Sequence, residues 1–251
     1  FMSGEARTRT EIGLPGFQQE FLEAIYRVNK NVVLVLNNGR PLALPWAAEH
    51  IPSIVEAWHL GTQAGNAVAE VLFGDYNPSG KLPVSFPRNV GQCPIYYNHH
   101  NTGRPTNVDN NVFWSHFIDV DKTPQWPFGF GLSYTTFSYQ NLKLDKSTYQ
   151  RYDRIEVSVD VTNTGASDGI EVVQLYLRDV AASVVRPVKE LKGFERVSLK
   201  KGETKTIRFK LGKEELGFFD NEGFFQVESG VFQVCVGGSS QTVLEARFEL
   251  K

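Results

Sequence analysis

The N-terminal segment Ser3-Gly4-Glu5-Ala6-Arg7-Thr8-Arg9 places the carboxyl group of Glu5 four positions before the guanidinium group of Arg9 in the sequence. A glutamate can serve as a general acid and base when its surroundings hold it against a reacting oxygen. Glutamates are, however, among the side chains most often left in solvent. On residue type alone, Glu5 is therefore best interpreted as an exposed charge near the chain end.

The histidines and cysteines do not have the spacing of a metal site or a thiol site. His99 and His100 are adjacent, so on an extended segment they point to opposite sides and do not readily share a metal ion, and His116 adds little. Cys93 and Cys235 lie far apart, and two isolated cysteines make neither a disulfide framework nor a thiolate site. We expect no metal and no cofactor.

Two glycine-rich stretches, Gly61 to Gly65 and Gly129-Phe130-Gly131, superficially resemble phosphate-binding loops. Neither combines the full spacing with a preceding strand and a following acidic partner for ribose, so both are better interpreted as turns. Ser133 lacks the pattern that surrounds a nucleophilic serine.

The charge balance excludes some classes of partner. The 251 residues include 26 Lys and Arg and 28 Asp and Glu, a formal net charge of -2. Nucleic acid and anionic lipid need a basic field, so we expect neither as a partner, and neutral substrates fit better. The sequence has no apolar run of about 18 residues and no signal-peptide pattern at its start, so we expect a soluble chain without a membrane span.

The first half of the chain alternates helices and strands, as in an α/β domain. The apolar spacing predicts one helix that Leu14 and Pro15 open, with Pro15 in its first turn, and another that ends at Gly74. Val32 to Leu36 is continuously apolar, typical of a parallel strand covered on both faces, and Ile54 to Trp58 is a second candidate. Two or three strands are too few for a doubly wound sheet, so we expect only part of such a domain.

After Phe128 the hydrophobic period changes to two. Apolar and polar residues alternate from Ile155 to Val161 and in several later segments, which predicts about seven short strands in roughly 100 residues. That is the pattern of an immunoglobulin-like or fibronectin type III sandwich. The charged stretch from Lys189 to Lys201 predicts a solvated edge strand. The irregular stretch from Asn98 to Pro127 predicts a functional loop or a linker.

A motif between the two halves identifies a family. Asn77-Pro78-Ser79-Gly80-Lys81-Leu82-Pro83-Val84-Ser85-Phe86-Pro87 contains strong turn signals, and its prolines require any strand through Leu82, Val84 and Phe86 to lie at an edge or an end. With Ala64 to Asp75 before it, this motif closely resembles the second domain of family 3 glycoside hydrolases, the bacterial beta-glucosidases and beta-xylosidases. The resemblance covers nearly the whole chain.

The resemblance implies a fold class of α/β plus all-β. Residues 1–130 would be the C-terminal part of the family's flavodoxin-like α/β sandwich, and residues 131–251 a fibronectin type III-like β-sandwich. The segment Arg186 to Phe194 resembles one in the family's third domain. The resemblance implies that this segment packs against the catalytic part of the enzyme, as a contact between domains. A periplasmic or secreted location is also implied.

The resemblance further implies a role for Glu5. Its segment is similar to the one that carries the family's general acid/base glutamate four positions before an Arg, here Arg9, which we expect to contact substrate; Glu11 is a weaker alternative. A retaining glycosidase needs a second carboxylate roughly 5 Å away as nucleophile. In the family that nucleophile is an Asp on a preceding (β/α)8 barrel, for which this sequence has no room.

We therefore expect the C-terminal part of an exo-acting beta-glucosidase that removes terminal glucosyl residues from beta-glucosides or short oligosaccharides. Its partner would be the barrel of the same protein, and the chain alone would be inactive. A beta-xylosidase and a noncatalytic carbohydrate-binding or structural module remain alternatives, and a homodimer is possible. An aromatic platform for a sugar ring is a further hypothesis, with core packing favoured, for Phe113, Trp114, Phe117 and Trp126.

Overall fold

The computed structural model describes residues 5–102, 116–242 and 244–251. Within them the chain forms two compact units. The first unit contains the described chain up to Tyr76, with Val84–Ile95 and Phe117–Trp126. The second contains Asn77–Pro83, the described part of Tyr96–His116, and Pro127–Lys251. The family motif is thus divided, with its first seven residues in the second unit.

The first unit contains three helices and two strands among its described residues. The two strands are parallel, with Val33 opposite Ser53 and Leu36 opposite Glu56. A small core forms around Leu36 and its neighbours from the helices and loops. In chain order the elements are α1 (Gln18–Val28), β1 (Val33–Leu36), α2 (Pro45–His50), β2 (Ser53–Glu56) and α3 (Ala64–Phe73), with short 3-10 turns at Gly61–Gln63 and Val90–Gln92.

Glycines in the left-handed region set two of the helix boundaries. Gly74 has a φ of 84° and caps α3, which confirms the predicted helix end. Gly16 has a φ of 57°, so α1 starts at Gln18 and not at Leu14 and Pro15 as predicted. The helix α2 was not predicted, although Pro45 in its first turn is a favourable start signal.

The sequence prediction was wrong about two strands. In β1, Leu36 is buried but Val33 and Val35 are exposed, so among the described residues only one face of this strand is covered. The motif forms no continuous strand through Val84; Phe86 makes a single antiparallel bridge to Trp126. Proline at 83 and at 87 removes a backbone donor on either side of that bridge, which stops the ladder from extending.

The second unit is the predicted β-sandwich. Its elements are β3 (Phe137–Leu144), β4 (Thr148–Tyr149), β5 (Ile155–Asn163), β6 (Gly169–Asp179), β7 (Glu190–Leu199), β8 (Thr204–Leu211), α4 (Lys213–Leu216), β9 (Phe218–Phe219), β10 (Phe225–Gln226), β11 (Gly230–Gly237) and β12 (Leu244–Leu250). A five-stranded sheet with the order β4-β12-β11-β6-β7 shares one hydrophobic core with a three-stranded sheet of order β3-β5-β8, and β9 and β10 form a separate pair.

The burial pattern of β5 and the position of β7 in its sheet agree with the predictions from the sequence. The apolar residues of β5 from Ile155 to Val161 are fully buried at alternate positions. The charged strand β7 lies at the edge of the larger sheet, as predicted. The central strand β6 is different, because Gln174 and Tyr176 are buried as well as their apolar neighbours. The Gln174 amide donates to the carbonyls of Gly129 and Gly238, and the Tyr176 hydroxyl donates to Gln174, so these polar groups are satisfied.

Candidate functional site

The carboxylate predicted to do chemistry lies on an exposed turn of the first unit. Glu5 is solvent-exposed, and the next residue, Ala6, has a φ of 56°. A left-handed conformation costs a non-glycine residue about 1–2 kcal/mol. Such strain persists only where the surrounding structure holds it, and it is concentrated at functional sites. The backbone beside Glu5 therefore has a conformation that non-glycine residues seldom adopt.

Arg40 makes hydrogen bonds to residues 8 to 12, the segment that follows this turn. Its Nη1 donates to Thr8 Oγ1 at 3.4 Å, and its Nη2 donates to the Glu11 carbonyl at 3.1 Å. The amide of Ala43 adds a backbone hydrogen bond to the Ile12 carbonyl at 2.9 Å. Residues 8 to 12 are thus tied to the loop that follows β1, and Glu5 lies only three positions before the first of these contacts.

Two further side chains hold the loop that carries Arg40. The Nδ2 of Asn38 donates to the Arg40 carbonyl at 2.7 Å and to Glu56 Oε2 at 3.3 Å. Asn38 follows β1, whereas Glu56 is the last residue of β2. Because β1 and β2 are parallel, these residues meet at the carboxyl ends of the strands, which is where open α/β sheets bind their ligands.

Glu56 also fixes the chain beyond β2. Its Oε1 accepts a hydrogen bond from the Trp58 amide at 2.9 Å, and Trp58 has a φ of 46°, an unfavourable conformation for a bulky residue. Burial raises the pKa of the Glu56 carboxyl, although the hydrogen bonds from Trp58 and Asn38 and the nearby His59 oppose that shift. One half-buried carboxyl group therefore joins both loops at this edge.

The predicted site residues all lie on the segment that Arg40 fastens or on the turn before it. Glu5 and Glu11 are exposed, and Arg9 is half-buried. Arg40, Asn38 and Glu56 were not predicted as site residues. Asn38-Gly39-Arg40-Pro41 follows a predicted strand, which marks a loop, but no signal in the sequence gives its contacts with residues 8 to 12.

Where the structure describes these aromatic residues, Trp126 packs in a core as the favoured interpretation predicts, and Phe117 does not. Trp126 contacts the buried ring of Phe86 edge-on, with ring centroids 5.7 Å apart, and belongs to the apolar packing of the first unit. Phe117 is exposed. Phe113 and Trp114 lie outside the described residues, so the sugar platform stays a hypothesis.

The other candidate chemical groups do not converge. Within residues 5–102, 116–242 and 244–251, no group of three or more His, Cys, Asp and Glu side chains is arranged to hold a metal ion. The Nδ1 of His99 lies 3.2 Å from the carbonyl oxygen of its neighbour His100. Cys93 is exposed and Cys235 is buried, and both are free thiols. In the same part of the chain, no helix has the length and apolarity needed to cross a bilayer.

A shallow cleft of about 580 Å³ in the first unit was not predicted. Arg88 and Asp121 contribute to its lining. The guanidinium of Arg88 donates to the carbonyl and to the hydroxyl of Thr123, at 2.9 and 3.1 Å. These contacts connect two segments of the unit, so Arg88 has a structural role there.

Two family models match the sequence. Residues 2–134 match the glycosyl hydrolase family 3 C-terminal domain, and residues 171–240 match the fibronectin type III-like domain. The second match lies within the β-sandwich described above.

Known proteins resemble the chain over almost its full length. It is 49% identical over 250 residues to a periplasmic beta-glucosidase of Salmonella typhimurium, covering 99% of this chain and 33% of that protein. It is 50% identical over 238 residues to a beta-xylosidase of Formosa agariphila, covering 95% of this chain and 32% of that protein.

A solved structure is also similar to this chain. The crystal structure of a beta-glucosidase from Listeria innocua in complex with glucose has a TM-score of 0.94 and 40% identity, covering 98% of this chain and 34% of that one. The chain thus spans about a third of the length of these relatives. With a family model matched over more than half of its residues, the chain belongs to glycosyl hydrolase family 3, as its C-terminal domain together with a fibronectin type III-like domain.

Proposed function

We propose that this chain contributes the general acid/base, Glu5, to a retaining, exo-acting beta-glucosidase. The observation that carries the proposal is the position of Glu5, on an exposed turn whose following segment is tied by Arg40 to the carboxyl-end edge of β1 and β2. The chain's membership of the family and its relatives' names, beta-glucosidases among them, support the reaction class. Arg9, on the same segment, would donate hydrogen bonds to the substrate.

The chemistry proceeds in two steps. Protonated Glu5 gives its proton to the glycosidic oxygen while the bond from that oxygen to the anomeric carbon breaks, and an Asp on a preceding (β/α)8 barrel attacks that carbon. Ionised Glu5 then takes a proton from water, which displaces the Asp and releases the sugar with retained configuration. Because the chain supplies one carboxyl group of the pair, it is inactive without the barrel.

The substrates would be beta-glucosides or short oligosaccharides with a terminal glucosyl residue. The formal net charge of -2 suits neutral sugars and does not suit nucleic acid. A location in the periplasm or outside the cell is supported by the name of the Salmonella typhimurium relative.

A beta-xylosidase of the same family is the second candidate, because a relative with that name is 50% identical. The two substrates differ by the hydroxymethyl group on the ring. The ratio of kcat/KM for a nitrophenyl beta-glucoside and a nitrophenyl beta-xyloside, measured on the longer enzyme, decides between them.

The experiment replaces Glu5 by Gln in the longer enzyme and compares Glu11→Gln as a matched control. With a poor leaving group such as phenol, which needs protonation, Glu5→Gln should lower kcat/KM by about 10²–10⁴-fold. With dinitrophenolate, which leaves without a proton, the loss should be much smaller. Equal losses for the two substrates, or the larger loss in Glu11→Gln, would contradict the assignment.

The purified chain alone provides an independent test, since we expect it to show no turnover of an aryl glucoside. Turnover by the chain alone would contradict the division of the active site. Unchanged turnover in the full-length Glu5→Gln variant, with glucan binding by the chain alone, would favour a noncatalytic module.

A further inference from the structure

We propose that Arg40 is a positioning residue that holds the acid/base segment in place, and that Asn38 and Glu56 hold Arg40. The proposal rests on the assignment of Glu5 as the acid/base. Arg40 reaches two points on residues 8 to 12, and it is the only side chain among the described residues that donates hydrogen bonds to this segment in the observed contacts.

The contacts form a continuous path that lies entirely in the first unit. It runs from the Glu56 carboxylate to the Asn38 amide, from that amide to the Arg40 carbonyl, and from the Arg40 guanidinium to Thr8 and Glu11. The Asn38 amide uses both of its hydrogens on this path. Its nitrogen therefore joins the end of β2 to the loop after β1, so the two parallel strands act as a rigid base for a segment that has no regular structure of its own.

The shape of the guanidinium explains why an arginine occupies this position. The hydroxyl of Thr8 and the carbonyl of Glu11 are three residues apart, and Nη1 and Nη2 each reach one of them. Arginine has a planar fork of five donors, whereas lysine is a flexible point charge. Lysine at position 40 could bind one of the two acceptors and would leave the other end of the segment free to move.

Loss of this contact should affect proton transfer selectively. A displacement of about 1 Å at a reacting group can cost about 10²-fold in rate. Because Glu5 is needed only for leaving groups that require a proton, a shift of its segment should slow the hydrolysis of a phenyl glucoside far more than that of a dinitrophenyl glucoside. A residue that merely supports the fold would slow both reactions together.

The test is a double-mutant cycle in the longer enzyme with Glu5→Gln, Arg40→Met and the combined variant, each measured with both substrates. Arg40→Met should lower kcat/KM for the phenyl glucoside by about 10–100-fold, and by no more than a few-fold for the dinitrophenyl glucoside. The combined variant should be slower on the phenyl glucoside than Glu5→Gln by no more than the few-fold factor seen with the dinitrophenyl glucoside, since that factor reflects the substrate contact of Arg9 and the rest of the effect passes through Glu5. Arg27→Met, an exposed arginine at the end of α1, is the matched control and should change neither rate.

Two milder variants keep the proposal testable if Arg40→Met does not fold. Arg40→Lys should retain part of the activity on the phenyl glucoside. Glu56→Gln should produce a smaller loss with the same dependence on the leaving group, because its amide has one acceptor oxygen for two donors, Asn38 Nδ2 and the Trp58 amide.

The outcomes separate the two assignments. If Glu5→Gln shows the leaving-group dependence and the positioning variants do not, or if their effects multiply with that of Glu5→Gln, Arg40 is not a positioning residue. If Glu5→Gln itself shows no such dependence, the acid/base assignment fails, and the positioning proposal fails with it.

Discussion

Lys81 and Glu171 form an ion pair inside the second unit, with 2.9 Å between Lys81 Nζ and Glu171 Oε1 and only 14% and 7% of the two side chains exposed. The ammonium group also donates to the Gly131 carbonyl at 2.8 Å. Lys81 belongs to the family motif at Asn77 to Pro87. The motif therefore has a structural role, in which its first part packs as an integral element of the sandwich unit.

Removing one partner of this pair should destabilise the second unit. Lys81→Met leaves the Glu171 carboxylate buried without its counter-charge, for which we expect a loss of about 3–5 kcal/mol in the free energy of unfolding. Urea denaturation monitored by circular dichroism measures it. Lys205→Met removes the partner of Glu203 in a much more exposed pair and should cost far less, because solvent screens that pair. Similar losses in the two variants would contradict the importance of burial.

Gly131 lies against the turn of the family motif, at Gly80, and has no space for a side chain. A Cβ at Gly131 would collide with the carbonyl oxygen of Gly80, which is backbone and moves only with the whole turn. We expect Gly131→Ala to lower the free energy of unfolding by about 1–3 kcal/mol. Gly230→Ala, whose Cβ would lie 3.6 Å from its nearest neighbour, should be almost neutral in the same assay. If Gly131→Ala also left the free energy of unfolding almost unchanged, the turn at Gly80 would be free to move.

Because of Glu56, the free energy of unfolding of the first unit should depend on pH. Burial raises its pKa in the folded state above the value in the unfolded chain, so the folded state binds the proton more tightly. The associated stability is fully present below the unfolded pKa, about 4.3. It is lost as the pH rises through the folded pKa.

Glu56→Gln is neutral at every pH and should lack this loss. The free energy of unfolding of the wild-type protein minus that of the variant should therefore fall as the pH rises from below about 4.3 to neutrality. Urea titrations at several pH values measure this difference. A difference that stays constant or grows with pH would contradict the raised pKa.

Local signals in the sequence correctly predicted the elements that depend on near neighbours. The alternation in β5 and the Gly74 cap of α3 are examples, since each depends on a few consecutive residues. The start of α1 was misplaced, because nothing in the sequence shows that Gly16 adopts a positive φ. The burial of Gln174 was also missed, because its hydrogen-bond acceptors, the carbonyls of Gly129 and Gly238, lie on distant parts of the chain.

The same distinction applies to the candidate site. Glu5 and Arg9 could be proposed because their spacing resembles a family segment. The hydrogen bond from Arg40 to Thr8 joins residues 32 positions apart, and the hydrogen bond from Asn38 to Glu56 joins residues 18 positions apart. Such contacts depend on the parallel pairing of two strands, so no pattern of consecutive residues predicts them.

The most direct test of the central claim is rescue of a Glu5→Ala variant by azide in the longer enzyme, with dinitrophenyl beta-glucoside as substrate. The leaving group departs without a proton, and azide, which needs no general base, then attacks the glycosyl-enzyme. We expect azide to restore turnover and to yield beta-glucosyl azide, and Glu11→Ala to show neither effect. Failure of azide to accelerate Glu5→Ala, or the same rescue in Glu11→Ala, would contradict the role of Glu5 as the acid/base.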